Sequence, residues 1–139
     1  MSSTINHIIF YGTLMAQAGG RGMSHSPQLT FCGNITLSGR LFNTGGFPAL
    51  VMAGTSLTIG DNAQSVKAEL YKINDQEFVT RRYDGIEGYS GRKDGDLYTR
   101  TVVNIFDPSE QKMVDAWVYT WNHTTDGLKL IPSGSWLER

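Results

Sequence analysis

This chain predicts an α+β fold built mainly from antiparallel strands, on three observations. Long stretches alternate apolar and polar residues with the period of two of a half-buried strand. Sixteen glycines supply turns between them, and one short segment switches to helical signals. Closing such a sheet removes exposed edges, so a small closed or nearly closed sheet is expected. The 139 residues read as one domain, 1–139, long enough to bury a core.

The elements follow in order. Ile8, Ile9 and Phe10 are β-branched or aromatic and read as a buried strand that stops at Tyr11-Gly12-Thr13-Leu14. Gly12 allows a sharp turn and a close approach of the backbone to a ligand. From Phe31 to Leu41 the alternation puts Phe31, Gly33, Ile35, Leu37, Gly39 and Leu41 on one face, with Cys32, Asn34, Thr36, Ser38 and Arg40 on the other. A turn at Asn43-Thr44-Gly45-Gly46 precedes a strand starting at Pro48-Ala49-Leu50-Val51, and Gly60-Asp61-Asn62 marks another turn. Val66–Ile73 alternates again. Asn74 with Glu77 has capping-box spacing, so a helix is expected over about Asp75–Tyr83, stopping at Gly85. Two strands, Tyr98–Phe106 and Val114–Trp121, flank the turn Asp107-Pro108-Ser109.

Composition narrows the function. A net charge of −1 with no basic run argues against nucleic acid or anionic lipid as partner. No apolar run approaches the ~20 residues of a membrane helix. The N-terminus lacks the basic start and apolar stretch of a signal peptide, and the single cysteine fits a reducing compartment, so a cytoplasmic location is expected. His7, His25 and His123 are far apart and have no metal-ligand spacing, so no metal site is expected. Cys32 reads as structural, and Gly19–Gly22 lacks the Gly-Lys-Ser/Thr ending of a phosphate loop.

Two features are open to a chemical reading. Glu87 in Tyr83-Asp84-Gly85-Ile86-Glu87-Gly88-Tyr89 is either a solvated acid in a helix-ending turn or a carboxylate against apolar and aromatic walls. In the second case desolvation lifts its pKa from about 4.3 and lets it trade protons near neutrality. On Val114–Trp121, Trp117, Tyr119 and Trp121 share one face and Val114, Ala116 and Val118 the other, so both faces are at least partly covered. Such an aromatic stripe is core packing in most proteins, although Tyr119 can turn its hydroxyl into a barrel cavity.

These segments, in this order, resemble the γ-glutamylcyclotransferase-like proteins, including their AIG2-like and γ-glutamylamine cyclotransferase branches. Tyr11-Gly12-Thr13-Leu14 resembles the N-terminal signature. Gly39-Arg40-Leu41-Phe42 followed by Gly46-Phe47-Pro48-Ala49-Leu50-Val51 resembles G-x-L … G-(F/Y)-P-A-L. Val66–Ile73 resembles V-x-G-E-L-Y-x-I, with Ala68 where the family often has glycine, and Tyr83–Tyr89 resembles L-D-x-x-E-G-Y. Tyr98-Thr99-Arg100, Ala116–Tyr119 and Ile131–Trp136 resemble Y-x-R, A-x-x-Y and I-x-x-G-(D/S)-W.

The resemblance implies a small mixed, mostly antiparallel β-barrel with flanking helices and a cavity at one end. It implies a cofactor-independent reaction in which a γ-glutamyl amine or peptide cyclises to 5-oxoproline and releases a free amine. Glu87 falls on the catalytic glutamate. Tyr11, Gly12, Thr13 and Leu14 fall on the substrate-cradling loop, and Gly46, Phe47, Pro48, Tyr89 and Tyr119 complete the implied substrate site. The loop Met15–His25 departs from the family's usual continuation, and the spelling Tyr-Gly-Thr-Leu is similar to the γ-glutamylamine branch. A non-catalytic module binding a small ligand on the same fold is the alternative.

Overall fold

Four consecutive buried residues, His7–Phe10, form β1 at the centre of a sheet whose both faces are covered there. The computed structural model describes residues 5–12, 29–45, 48–52, 64–75, 98–121 and 124–138. Within these, β2 is Leu29–Asn43, β3 Pro48–Met52, β4 Gln64–Ile73, β5 Tyr98–Asp107, β6 Lys112–Trp121 and β7 Lys129–Leu130. The strands form one sheet in the order β3-β2-β4-β1-β6-β5, with β7 paired to β2. Every ladder is antiparallel except β1 with β6. The sheet is therefore mixed and mostly antiparallel, as expected. It curls into a half-barrel in which β3 comes against β6 and β2 against β5.

Alternating strands fold into the core as their pattern dictates. Leu41, Leu50, Val66, Leu70, Ala116 and Val118 are completely buried. Each large aliphatic side chain so buried contributes about 1.5–3 kcal/mol. The chain end is tied in by hydrogen bonds that explain Ile131-Pro132-Ser133-Gly134. Ile131 N–H donates to the Leu41 carbonyl at 2.7 Å, and Lys67 N–H donates to the Gly134 carbonyl at 2.8 Å. The Gln64 amide joins the same strands, accepting from Leu41 N–H at 2.8 Å and donating to the Ile131 carbonyl at 3.0 Å.

One expectation changes and one is left unconfirmed. The register of β2 shifts between Phe31 and Gly33, a bulge that breaks the simple alternation. Phe31 is thereby 51 % exposed, whereas Cys32, expected on the polar face, is only 9 % exposed. The expected flanking helices are not confirmed: among the described residues the one helical segment is a 3-10 turn at Trp136–Glu138. Asp75 is not helical, and the rest of the helix expected over Asp75–Tyr83 lies outside the described residues, as does the turn at Gly60-Asp61-Asn62.

Candidate functional site

Strand directions bring the described part of the expected site to one end of the sheet. Because β1 runs parallel to β6 and β2 while β3, β4 and β5 run against them, Tyr11, Pro48, Tyr98 and Trp121 gather there. Tyr11 is buried and its hydroxyl donates to the Tyr119 carbonyl. Tyr98 donates in the same way to the Pro48 carbonyl, and its ring meets Trp121 edge-on at 5.4 Å. Gly12 lies directly against Pro48: a Cβ there would fall 2.3 Å from the proline Cγ, a distance real side chains do not reach. The glycine in Tyr11-Gly12 is thus required by packing, whatever it does for a ligand. At the neighbouring turn, Gly45 adopts φ +122 and donates its N–H to Asn43 Oδ1 at 2.8 Å.

Of the expected site residues, Tyr11, Gly12, Pro48 and Tyr119 are brought together, and Tyr119 is buried. Thr13, Leu14, Gly46, Phe47, Glu87 and Tyr89 lie outside the described residues, as does Met15–His25. Tyr98 was not singled out as a site residue, although the Tyr-x-Arg pattern marked it; its hydrogen bond fixes the start of β3 beside Gly12. Glu69 is a second addition. It is buried on β4 and accepts the Tyr71 hydroxyl at 2.8 Å. It borders a groove of about 660 Å³ shared by Asn34, Lys67, Phe106 and Leu137, none of which belongs to the Gly12–Pro48 cluster.

At the opposite end of the sheet three potential ligands meet. A ring nitrogen of His7, the sulfur of Cys32 and a carboxylate oxygen of Asp107 lie within 4.8 Å of one another. The spacing rule used on the sequence reaches only ligands that are close in the chain; these come from β1, β2 and β5. Burial pushes the Cys32 thiol up, partly opposed by a hydrogen bond with Ser109 and reinforced by the Asp107 charge. Burial alone would raise Asp107 too. Hydrogen bonds from Ser109 Oγ and N–H and from Glu110 N–H, together with His7, outweigh it and hold the carboxyl below its ordinary 3.8.

The family model for γ-glutamyl cyclotransferase, AIG2-like, proteins matches residues 8–138. The chain belongs to this family. Its fold is seen in solved members and neighbours at low identity. An uncharacterized protein from Pyrococcus horikoshii superposes with a TM-score of 0.58 at 19 % identity, over 96 % of this chain and 90 % of that one. An AIG2-like protein from Mus musculus gives 0.57 at 22 %, over 85 % of this chain and 78 % of that one. A uropathogenic Escherichia coli-specific protein gives 0.52 at 17 %, over 96 % and 94 %. No curated protein matches the chain. Belonging to the γ-glutamyl cyclotransferase, AIG2-like, family, the chain carries the family's general cyclotransferase chemistry on a curled mixed sheet.

Proposed function

We propose that this protein converts a small γ-glutamyl amine or peptide into 5-oxoproline and the free amine, with Glu87 as the proton carrier. The observation that carries the reading is the family match over residues 8–138, which takes in both Tyr11-Gly12-Thr13-Leu14 and Glu87. One feature of the fold supports it: Gly12 leaves β1 at the end where Pro48 and Tyr98 are locked together.

The chemistry suits these residue types. The substrate's α-amine attacks its own γ-carbonyl, forming the ring C–N bond, and collapse of the tetrahedral intermediate breaks the original γ-amide bond. Because the attack is intramolecular, orientation replaces an enzyme nucleophile. An α-ammonium with a pKa of about 8 must first lose a proton. Glu87 takes it and returns it to the departing nitrogen; the ring nitrogen, cationic after the attack, then gives up a second proton that the released amine takes up as an ammonium, so no net proton is consumed. Backbone N–H groups of Gly12, Thr13 and Leu14 hold the oxyanion without adding a charge that competes with Glu87. Gly46, Phe47, Pro48, Tyr89 and Tyr119 wall the substrate, and the reaction runs in the cytoplasm.

The test is to incubate the protein with a panel of γ-glutamyl amines and peptides and to measure 5-oxoproline. Turnover of at least one member supports the reading. Saturable binding with no 5-oxoproline from any member replaces it with a ligand-binding role.

A further inference from the structure

We infer that His7, Cys32 and Asp107 form a zinc site at the end of the sheet opposite Gly12. The site is built by three long-range features of the fold. Beginning β1, His7 is 6 % exposed; ending β5, Asp107 is fully buried. The β2 bulge turns Cys32 inward, and it also brings the β5–β6 turn onto β2, since a Cβ on Gly33 would fall 2.4 Å from Pro108 Cγ.

What points to a cation is the way the polar atoms are left. His7 Nε2 lies 3.3 Å from Asp107 Oδ2, yet the pair lacks the alignment of a hydrogen bond, and among the described residues neither atom has another hydrogen-bond partner. Buried polar atoms without partners are rare in folded proteins because desolvation then goes uncompensated. A separation of about 3.3 Å is the ligand–ligand edge of a tetrahedral ion with bonds near 2.0 Å. The corresponding sulfur–nitrogen edge is about 3.6 Å, so Cys32 Sγ, within 4.8 Å of both atoms, needs to move by about 1.3 Å at most.

The surroundings fit a liganding carboxylate. Asp107 Oδ1 is held by Ser109 N–H at 2.8 Å, Ser109 Oγ at 2.7 Å and Glu110 N–H at 3.3 Å. That leaves Oδ2 as the oxygen for the metal, oriented by outer partners as in known metal centres. The donor set of one thiolate, one imidazole and one carboxylate favours a borderline-soft ion such as zinc over magnesium or calcium. With the thiolate and carboxylate each carrying one negative charge and the imidazole neutral, a divalent ion brings the buried cluster to zero net charge. Binding releases the Cys32 thiol proton to solvent. Three protein ligands leave the fourth position to water, and the ion ties β1, β2 and β5 together.

The experiment uses metal-free, tag-free wild-type protein titrated separately with zinc and with cobalt ions. Expected are one zinc per chain after dialysis, a thiolate-to-cobalt charge-transfer band, and slower alkylation of Cys32 once zinc is bound. Cys32→Ala should lose the band and bind zinc at least tenfold more weakly, and His7→Gln should bind at least tenfold more weakly. Substoichiometric zinc, or zinc that leaves Cys32 alkylation unchanged, overturns the inference on wild-type protein alone, even if both variants fail to fold. A cobalt band that survives in folded Cys32→Ala overturns it as well. None of these readouts involves 5-oxoproline, so failure here leaves the proposed reaction standing, and the reverse holds.

Discussion

Gly12 and Pro48 are packed so closely that a methyl group on Gly12 would fall 2.3 Å from the proline Cγ. The first turn after β1 and the first residue of β3 therefore hold each other in place. Gly12→Ala must push the two apart. We expect a stability loss of about 1–3 kcal/mol from overpacking. In the proposed site, misplacing the loop by an ångström costs on the order of 100-fold in kcat/KM. Urea denaturation and steady-state kinetics on the same variant check both, and wild-type kinetics in Gly12→Ala would remove the loop from the site.

Two buried tyrosine hydroxyls anchor the same end. Tyr11→Phe leaves the Tyr119 carbonyl without that donor, and Tyr98→Phe does the same to Pro48. Each variant should lose about 1–3 kcal/mol in equilibrium unfolding, the cost of stranding a buried acceptor.

Gly134 lies against the backbone of Ser65. Its φ is +71, and a Cβ would fall 2.2 Å from the Ser65 carbonyl oxygen. Gly134→Ala should therefore destabilise by about 2 kcal/mol or more, through strain and through the Lys67–Gly134 hydrogen bond. Its melting temperature, compared with that of the exposed control Gly127→Ala at φ +81, separates the clash from the backbone conformation.

Acid stability of the metal-free protein carries a sign. Asp107 sits below its ordinary 3.8 in the folded state, so the folded carboxylate is favoured. Its contribution is complete above the unfolded value and disappears as pH falls through the lower folded value. Wild type and Asp107→Asn, unfolded in parallel, should converge in stability as the solution becomes more acid than the ordinary value. A constant difference would contradict the shift.

How much of this was legible depends on whether the deciding neighbours are close in sequence. The alternation in Val66–Ile73 and Val114–Trp121 needs only local residues, and β4 and β6 follow it. The turn at Asp107 was readable for the same reason, and Asp107 Oδ1 does cap it through Ser109 and Glu110. The bulge at Phe31 was not, because it is set by pairing with Tyr71 and Leu70 on β4 and by Pro108 on the β5–β6 turn. It reverses the faces assigned to Phe31 and Cys32. The meeting of His7, Cys32 and Asp107 was invisible for a related reason: three strands, remote in sequence, have to align before it exists. Gly12 was expected to serve a site by resemblance, but the packing that requires a glycine there, against Pro48, appears only in the fold.

The most direct measurement of the central claim is 5-oxoproline release by wild type and Glu87→Gln from the best γ-glutamyl substrate of the panel, at matched folded concentration. Glutamine keeps the shape and removes the proton carrier. The account predicts a fall of about 100- to 10,000-fold in kcat, the usual worth of a general acid–base, with binding of the γ-glutamyl compound retained. Cyclisation by Glu87→Gln at the wild-type rate would contradict it.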